Sequence, residues 1–444
     1  MVAAKGAAMH ALLWSVALAA TPSIPFSRYE LPNGLDVTLS PDHTVPVVCV
    51  NVWYDVGSRD EAAGRSGFAH LFEHLMFNGS QHADDDYFKP LQPLGARVNG
   101  STNLDRTNYY ECLPSEQLPL ALFLEADRMG WLLPALTETK LQNQKDVVRN
   151  ERRQNYDNPP YGQAWLEILR NSYPEGHPYH IATIGKHEEI EAATLDDVKG
   201  FFRTWYLPNN ASLVLSGDFD EAEARTLVER YFGPVAAGPS PVRTVPARPA
   251  FTEAKAVRAV DDVPFEKVWL VWHTPALFQP GDAELDLLSS ALASGKDSRL
   301  YKALVHEQQI AQDVTAYQSS AGYSSLFVVS ATASAGHGGA ELVAAIDAVL
   351  GEVATRPITD AEVEVGRTAY EVQFFGSIAT IQGKADLLNN YNTRTHDPGY
   401  LAKDLARYQA ATAAGVNSAH KEWLPPDRRL VLTIGPASAT PEVK

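Results

Sequence analysis

The sequence predicts an α+β fold made of two tandem homologous halves, each a mostly antiparallel sheet packed with helices. Three observations predict it. Strand-like runs alternate with helical runs, a segment rich in Pro and Gly divides the chain near its middle, and patterns of the first part return in the second. At 444 residues the chain is too long for one small domain, and 45% hydrophobic residues suffice for a sizeable core.

A linker and an internal repeat define the two halves. The segment 236–252 belongs to a Pro- and Ala-rich stretch without hydrophobic periodicity, so we expect a linker between a first half over residues 26–235 and a second half over residues 253–444. A helix end, a Pro turn and an apolar strand occur in this order before the linker and again near the C-terminus. The matching residues are Leu207, Pro208, Leu213, Val214 and Leu215 in the first half and Leu424, Pro425, Leu430, Val431 and Leu432 in the second.

Hydrophobic spacing predicts the elements within each half. Alternating β-branched runs predict strands, and apolar residues spaced by three and four predict helices. The predicted strands include residues 46–55 and 324–333, and the predicted helices include residues 118–133, 137–156, 195–205, 339–354 and 360–375. Strands mixed with pairs of helices indicate a sheet with helices packed on it in each half.

The composition excludes several classes of protein. Lys and Arg total 37 against 54 Asp and Glu, which gives a formal net charge of -17. Such a chain repels a phosphate backbone, so we expect no nucleic-acid partner. Only Cys49 and Cys112 occur, each in an apolar strand-like run, where they are either small buried side chains or one disulfide.

Residues 1–25 resemble a secretory signal. Lys5 and His10 precede an apolar run over residues 11–20, and the sequence ALA at 17–19 resembles a cleavage site. We therefore expect a periplasmic protein, with a retained N-terminal extension on a cytoplasmic protein as the alternative. No later stretch approaches the ~18 apolar residues needed to cross a bilayer, so we do not expect an integral membrane protein.

Three ionisable residues interrupt the apolar helical run at residues 66–77. His70 and His74 lie one helical turn apart on one face, so both imidazoles can bind one metal ion. Glu73 projects beside that face, where it can take a proton from a water molecule without being a ligand. Because burying three titratable groups on an apolar helix is costly unless they are paired or bind metal, a metal site is favoured over two structural histidines.

Two histidines make an incomplete site, because catalytic zinc normally takes three protein ligands. Glu151 lies on a helical run that ends at the sequence DNPP. On physical grounds alone it is one candidate for the third ligand among several acidic residues.

The HLFEH motif, the 76 residues that separate His74 from Glu151, and the tandem halves together resemble the pitrilysin, insulinase and mitochondrial processing peptidase family of inverted zincins. The resemblance covers essentially the whole chain after residue 25. It implies His70, His74 and Glu151 as the ligands of one Zn²⁺ per chain and Glu73 as the general base. It therefore implies a zinc-dependent endopeptidase, and the enclosed active sites of the family imply unfolded peptides as substrates.

A second motif, GARVNGSTN, resembles the family's strand that borders the active site. In the family an extended peptide adds to the edge of that strand through main-chain hydrogen bonds. The resemblance implies that Asn99, Gly100, Ser101 and Thr102 bind substrate. A hairpin edge without a ligand is the alternative.

The second half departs from the family pattern. It has no metal ligands at the position equivalent to HLFEH, and the positions of a substrate-contacting Arg and Tyr in single-chain and homo-oligomeric members align with Val305 and Gln312. We therefore expect the zinc-bearing subunit of a hetero-oligomer, whose zinc-free paralogous partner supplies the Arg and the Tyr. Arg299 with Tyr301 or Tyr317 is the alternative if the alignment is wrong. A non-catalytic assembly subunit of a larger complex is the alternative function.

Overall fold

Two mixed sheets, one in each half of the chain, form the framework of the fold. The computed structural model describes residues 22–84 and 86–437, so nearly all of the signal predicted over residues 1–25 lies outside the described residues. The strands of the first sheet, β1 to β6, are Ser27–Glu30, Asp36–Pro41, Val47–Tyr54, Arg97–Thr102, Thr107–Pro114 and Ala211–Gly217. The strands of the second sheet, β7 to β11, are Lys255–Val260, Lys267–Thr274, Ala311–Ser319, Ser325–Ala333 and Leu430–Gly435.

The two sheets share one topology. The strand order is β1-β2-β6-β3-β5-β4 in the first sheet and β7-β11-β8-β10-β9 in the second. Without β1 the two orders correspond strand for strand, and in each sheet one pair is parallel, β2 with β6 and β7 with β11. The remaining pairs are antiparallel. The prediction of an α+β fold with two similar, mostly antiparallel sheets is confirmed.

Helices of both halves pack on these sheets. In the first half, α1 to α7 are Phe68–Leu75, Leu118–Ala135, Glu138–Arg152, Ala164–Ser172, His187–Glu191, Leu195–Trp205 and Glu221–Phe232. In the second half, α8 to α13 are Asp282–Ala293, Gly339–Glu352, Asp360–Ile378, Ile381–Thr395, Leu401–Ala410 and Ala413–Trp423. Among the described residues, no helix has both the length and the hydrophobicity that crossing a membrane requires.

Threonine side chains determine where several helices begin. A threonine precedes each of α3, α6, α10, α11 and α13, and its hydroxyl accepts an N–H of the first turn. These hydrogen bonds satisfy N–H groups that have no partner inside the helix. The capping residues are Thr137, Thr194, Thr359, Thr380 and Thr412.

Each sheet is covered on one face by helices of its own half and on the other by a helix of the opposite half. In β3, Val48, Val50 and Val52 face the core formed with α1 and α2, whereas Cys49 and Asn51 face α11 of the second half. Correspondingly, α4 of the first half packs against β8 and β11. The segment 236–252 contains no helix or strand. Because each sheet buries its second face only against the other half, the two halves form one folding unit.

Cys49 and Cys112 lie directly opposite each other in the pair of β3 and β5. The two sulfur atoms are joined in a disulfide, and both residues are buried. Of the two interpretations that the sequence allows for these cysteines, the structure has the disulfide.

Candidate metal centre and active site

Helix α1, which carries the histidine and glutamate motif, is fixed at its N-terminus and along its apolar face. It begins after Gly67, whose φ of 85° is a left-handed conformation that glycine adopts without strain. The N–H groups of Gly67 and Ala69 each donate to a carboxyl oxygen of Glu61 at 2.9 Å, so Glu61 satisfies two N–H groups at the start of the helix. The buried apolar residues of the helix are Phe68, Ala69, Leu71, Phe72 and Leu75.

His70, His74 and Glu151 direct their potential ligand atoms toward one point. Nε2 of His74 lies 3.4 Å from Nε2 of His70 and 3.1 Å from Oε2 of Glu151. Nε2 of His70 lies 3.5 Å from the same carboxylate oxygen. Among the residues that the structure describes, this is the only group of three or more His, Cys, Asp or Glu whose ligand atoms lie within 4.8 Å of one another.

The chemistry of these three donors fits a zinc ion. Two imidazoles and one carboxylate are a ligand set of catalytic zinc sites. Burial, with the neighbouring His74, lowers the pKa of His70 to about 4, so its imidazole is neutral, which is the form that binds metal. The hydrogen bond from His74, helped by His70, lowers the pKa of Glu151, so that its carboxylate is ionised.

Glu73 lies beside the three donors without joining them. Its Oε2 accepts a hydrogen bond from Oγ1 of Thr102 at 2.8 Å. Burial raises the pKa of Glu73, while the Thr102 hydroxyl and the nearby His74 act in the opposite direction. Glu73 and His74 line a cavity of about 600 Å³, which Phe77 and Asn99 also border. A carboxylate that can exchange a proton therefore lies next to the candidate metal centre and faces open space.

Strand β4 borders this cavity and pairs only with β5 among the described strands. The N–H of Asn103 donates to the carbonyl of Arg106 at 3.0 Å, which closes the hairpin between the two strands. Because hydrogen-bonded pairs alternate along an antiparallel ladder, Val98, Gly100 and Thr102 direct their main-chain groups away from β5. The free edge of β4 therefore directs main-chain groups away from β5 close to Glu73, and the N–H of Gly100 on this edge donates to Oδ1 of Asn99 at 2.9 Å.

The structure places the four predicted substrate-binding residues on this strand but not in equivalent positions. Asn99 borders the cavity, and Thr102 contacts Glu73. A Cβ atom at Gly100 would lie 3.1 Å from the ring of Tyr109, so the strand approaches its neighbours closely there. Ser101 instead donates its hydroxyl to Oδ1 of Asn108 on the paired strand β5 at 2.6 Å.

The second-half residues aligned with the family's Arg and Tyr contact other residues of the second half. Val305 packs against the core of the second half, and Gln312 donates to a main-chain carbonyl of β10 at 2.6 Å. Arg299 is 9% exposed and donates to Glu362 and to two main-chain carbonyls. It therefore holds an ion pair inside the second half rather than extending toward the metal centre. Tyr317 is exposed on the edge strand β9.

Two contacts of the site were not predicted from the sequence. Glu61 lies in a loop before α1, and nothing in its spacing from Gly67 distinguishes it from a solvated acid. Thr102 is predicted to bind substrate, and the structure adds a contact that the sequence does not indicate, the hydrogen bond from its hydroxyl to Glu73. The alternation of side chains along a strand could have indicated that Thr102 and Gly100 share the face that α1 covers.

Two known protein families match successive parts of the chain. The family described as Insulinase (Peptidase family M16) matches residues 36–184, and the family described as Peptidase M16 inactive domain matches residues 192–370. His70, Glu73, His74 and Glu151 all lie in the first of these two matches.

Individual proteins and one solved structure are also similar to this chain. The zinc protease PqqE of Helicobacter pylori is 30% identical over 368 residues, which are 81% of this chain and 82% of that protein. The uncharacterized zinc protease ML0855 of Mycobacterium leprae is 30% identical over 350 residues, which are 77% of this chain and 76% of that protein. A crystal structure of a protease from Helicobacter pylori has a TM-score of 0.86 at 27% identity and covers 94% of this chain and 100% of its own.

The family matches extend over both halves, and the solved structure shares the fold over 94% of this chain. They confirm the resemblance that the HLFEH motif and the tandem halves indicate. The relatives named above are zinc proteases, so the coarse class of the chain is that of a peptidase. The chain belongs to the insulinase family of peptidases, peptidase family M16.

Proposed function

We propose that the chain is a zinc-dependent endopeptidase that hydrolyses unfolded peptides. The observation that carries the proposal is the convergence of His70, His74 and Glu151 within 4.8 Å, beside Glu73 and the free edge of β4. The three converging residues would hold one Zn²⁺. When bound, zinc supplies a Lewis acid that polarises the scissile carbonyl and makes a water molecule more acidic.

Glu73 is the proton carrier in this proposal. It takes a proton from the attacking water and delivers it to the nitrogen of the leaving amine. The hydroxyl of Thr102 holds one carboxylate oxygen of Glu73 at 2.8 Å, which restricts the direction in which the other oxygen points. Glu73 is thus oriented toward the cavity before substrate arrives.

The edge formed by Asn99, Gly100, Ser101 and Thr102 would bind the substrate. An extended peptide can add to β4 as a further strand, because the main-chain groups of Gly100 and Thr102 face away from β5, and the peptide would replace Oδ1 of Asn99 as the acceptor of the Gly100 N–H. Such pairing needs a peptide whose own main-chain groups are free. This supports unfolded peptides, rather than folded proteins, as the substrate class.

A zinc-free paralogue would complete the enzyme. Val305 and Gln312 offer neither a guanidinium nor a phenol, and the guanidinium of Arg299 is bound to Glu362. A paralogous subunit of a hetero-oligomer could supply both groups. The rival function is a non-catalytic assembly subunit, and the match of residues 192–370 to an inactive domain is the observation that favours it.

Export is part of the proposal. The signal-like composition of residues 1–25 supports a periplasmic protein. N-terminal sequencing of the chain recovered from fractionated cells tests this. Recovery of the uncleaved chain from the cytoplasm would contradict it.

The proposed activity is tested with a pool of unfolded peptides analysed by mass spectrometry. The zinc-loaded chain is assayed alone and with its candidate paralogue, with and without a chelator. Glu73→Gln should bind as much zinc as the wild type and cleave nothing, whereas Glu188→Gln, an exposed control on α5, should cleave normally. Cleavage by Glu73→Gln at the wild-type rate would refute the proposed mechanism. A zinc-loaded wild type that is inactive with every paralogue would favour the assembly subunit.

A further inference from the structure

We propose that Asp105 is a positioning residue through which the metal-free second half fixes the orientation of Glu73. The inference rests on the role proposed above for Glu73. It assigns to the second half a function in the catalytic centre of the first, although the second half contributes no metal ligand.

Asp105 is a buried carboxylate that binds both halves of the chain. It is 4% exposed. From the first half it accepts hydrogen bonds from Arg59 at 3.1 Å and from the hydroxyl of Tyr179. From the second half it accepts hydrogen bonds from Arg394 on α11 at 3.3 Å and from the N–H of Gly322 at 2.8 Å. Burial alone would raise the pKa of Asp105, but the two guanidinium groups lower it, so the residue stays ionised.

Asp105 also belongs to the turn that joins β4 to β5, and this turn is internally bonded. The side-chain oxygen of Asn103 accepts the N–H of Asp105 at 2.8 Å and the N–H of Arg106 at 2.9 Å. The guanidinium of Arg106 donates to both the carbonyl and the hydroxyl of Ser101 at 2.7 Å. The turn and the end of β4 therefore move together.

The next residue of β4 is Thr102, whose hydroxyl holds Glu73. Hydrogen bonds thus connect Arg394 and Gly322 of the second half to Glu73 through Asp105 and the hairpin. Because β4 is an edge strand, no other described strand holds its free side. Within the first half, the turn is also held by the N–H groups of Ser58 and Arg59, which donate to the carbonyls of Asn103 and Leu104 at 3.1 and 2.9 Å. Arg394 and Gly322 add the contacts of the second half through Asp105, so loss of these contacts should loosen the Thr102 hydroxyl with respect to Glu73.

Steady-state kinetics of single and double variants test the inference, with the paralogue present if activity requires it. Arg394→Gln and Thr102→Val should each lower kcat about tenfold at unchanged zinc content, since each disturbs the orientation of Glu73. The double variant should lose no more than Thr102→Val alone, because both substitutions act on the same contact. Multiplied losses in the double variant would overturn the inference. Arg394→Lys, which keeps the charge, should lose less than Arg394→Gln, and equal losses would also contradict it.

Hydrogen exchange in the metal-free chain gives a measurement that does not depend on activity. Residues 97–112 should exchange faster in Arg394→Gln than in the wild type. Lys384→Gln is the matched control, because Lys384 lies on the same helix and pairs with Asp42 of the first half, away from the hairpin. Equal exchange in the two variants would refute the role of Asp105. Activity in Glu73→Gln would refute the proposed function instead, so the two failures are distinguishable.

Discussion

Replacing Arg128 with Met should destabilise the chain far more than the loss of a surface ion pair. The guanidinium of Arg128 is 1% exposed, donates to both carboxylate oxygens of Glu125, and lies 3.9 Å from Glu111. Both carboxylates are fully buried, so the substitution leaves two buried acids without a cation. Breaking a buried ion pair by removing one partner costs about 3–5 kcal/mol.

The loss of unfolding free energy in Arg128→Met should also depend on pH, and the pKa of Glu111 determines whether this loss grows or shrinks as pH rises. Burial, together with the charge of Glu125, raises the pKa of Glu111 well above its ordinary value. A carboxyl whose pKa is raised by folding binds protons more tightly in the folded state, so its contribution to stability falls as pH rises from its unfolded pKa. Arg128 lowers the pKa of Glu111, so without Arg128 the carboxyl of Glu111 should bind its proton more tightly still. The free-energy loss in Arg128→Met should therefore be larger at pH 8 than at pH 5.

Urea unfolding followed by circular dichroism at pH 5 and pH 8 measures this loss. Arg170→Met is the matched control, because Arg170 pairs with Glu167 at the same spacing along a helix but its side chain is 64% exposed. The control should lose less than ~1 kcal/mol, as exposed pairs do. A loss below ~1 kcal/mol for Arg128→Met at pH 8, or equal losses at the two pH values, would refute the reasoning.

Three further predictions concern stability. Changing both Cys49 and Cys112 to Ala should lower the free energy of urea unfolding by about 4 kcal/mol, because their disulfide closes a 63-residue loop; an unchanged transition would contradict this. Burial lowers the pKa of His177 to about 4, so the protein should lose stability as pH falls from ~6.5 toward that value. His177→Phe should flatten this dependence in thermal melts, and an unaltered profile would contradict it. Zinc at about 100 times its Kd should add about 2.7 kcal/mol to the unfolding free energy of the metal-free chain. Glu151→Gln should remove most of this gain if Glu151 is a ligand.

The features that could be predicted best from the sequence are those that depend on residues close together in the chain, such as helix positions and shared helix faces. His70 and His74 are one turn apart on any helix, so their shared face follows from spacing alone. Helix α6 has the predicted bounds because Thr194 caps it and its apolar residues repeat at helical spacing. The helix expected over residues 137–156 ends earlier, as α3, and continues as a π-helical segment over Arg153–Asp157, a change that periodicity does not reveal.

Contacts between distant segments could not be predicted in this way. Thr102 meets Glu73 only because β4 pairs with β5 in one register beside α1, and the register depends on both strands. The packing of α11 on the first sheet is a further example. Asn389 of α11 is buried and donates to the carbonyl of Asn51, a contact that neither segment indicates alone.

The packing of α11 across the first sheet has a consequence for synthesis. The last strand of that sheet ends at Gly217, but the helix that covers its second face ends at Thr395. A ribosome that adds about 5–20 residues per second needs roughly 10–40 seconds to make the chain between these points. During this time Cys49 and the apolar residues around it have no cover from their own chain. The first half therefore reaches its final structure only after α11 has been made and has packed on the first sheet.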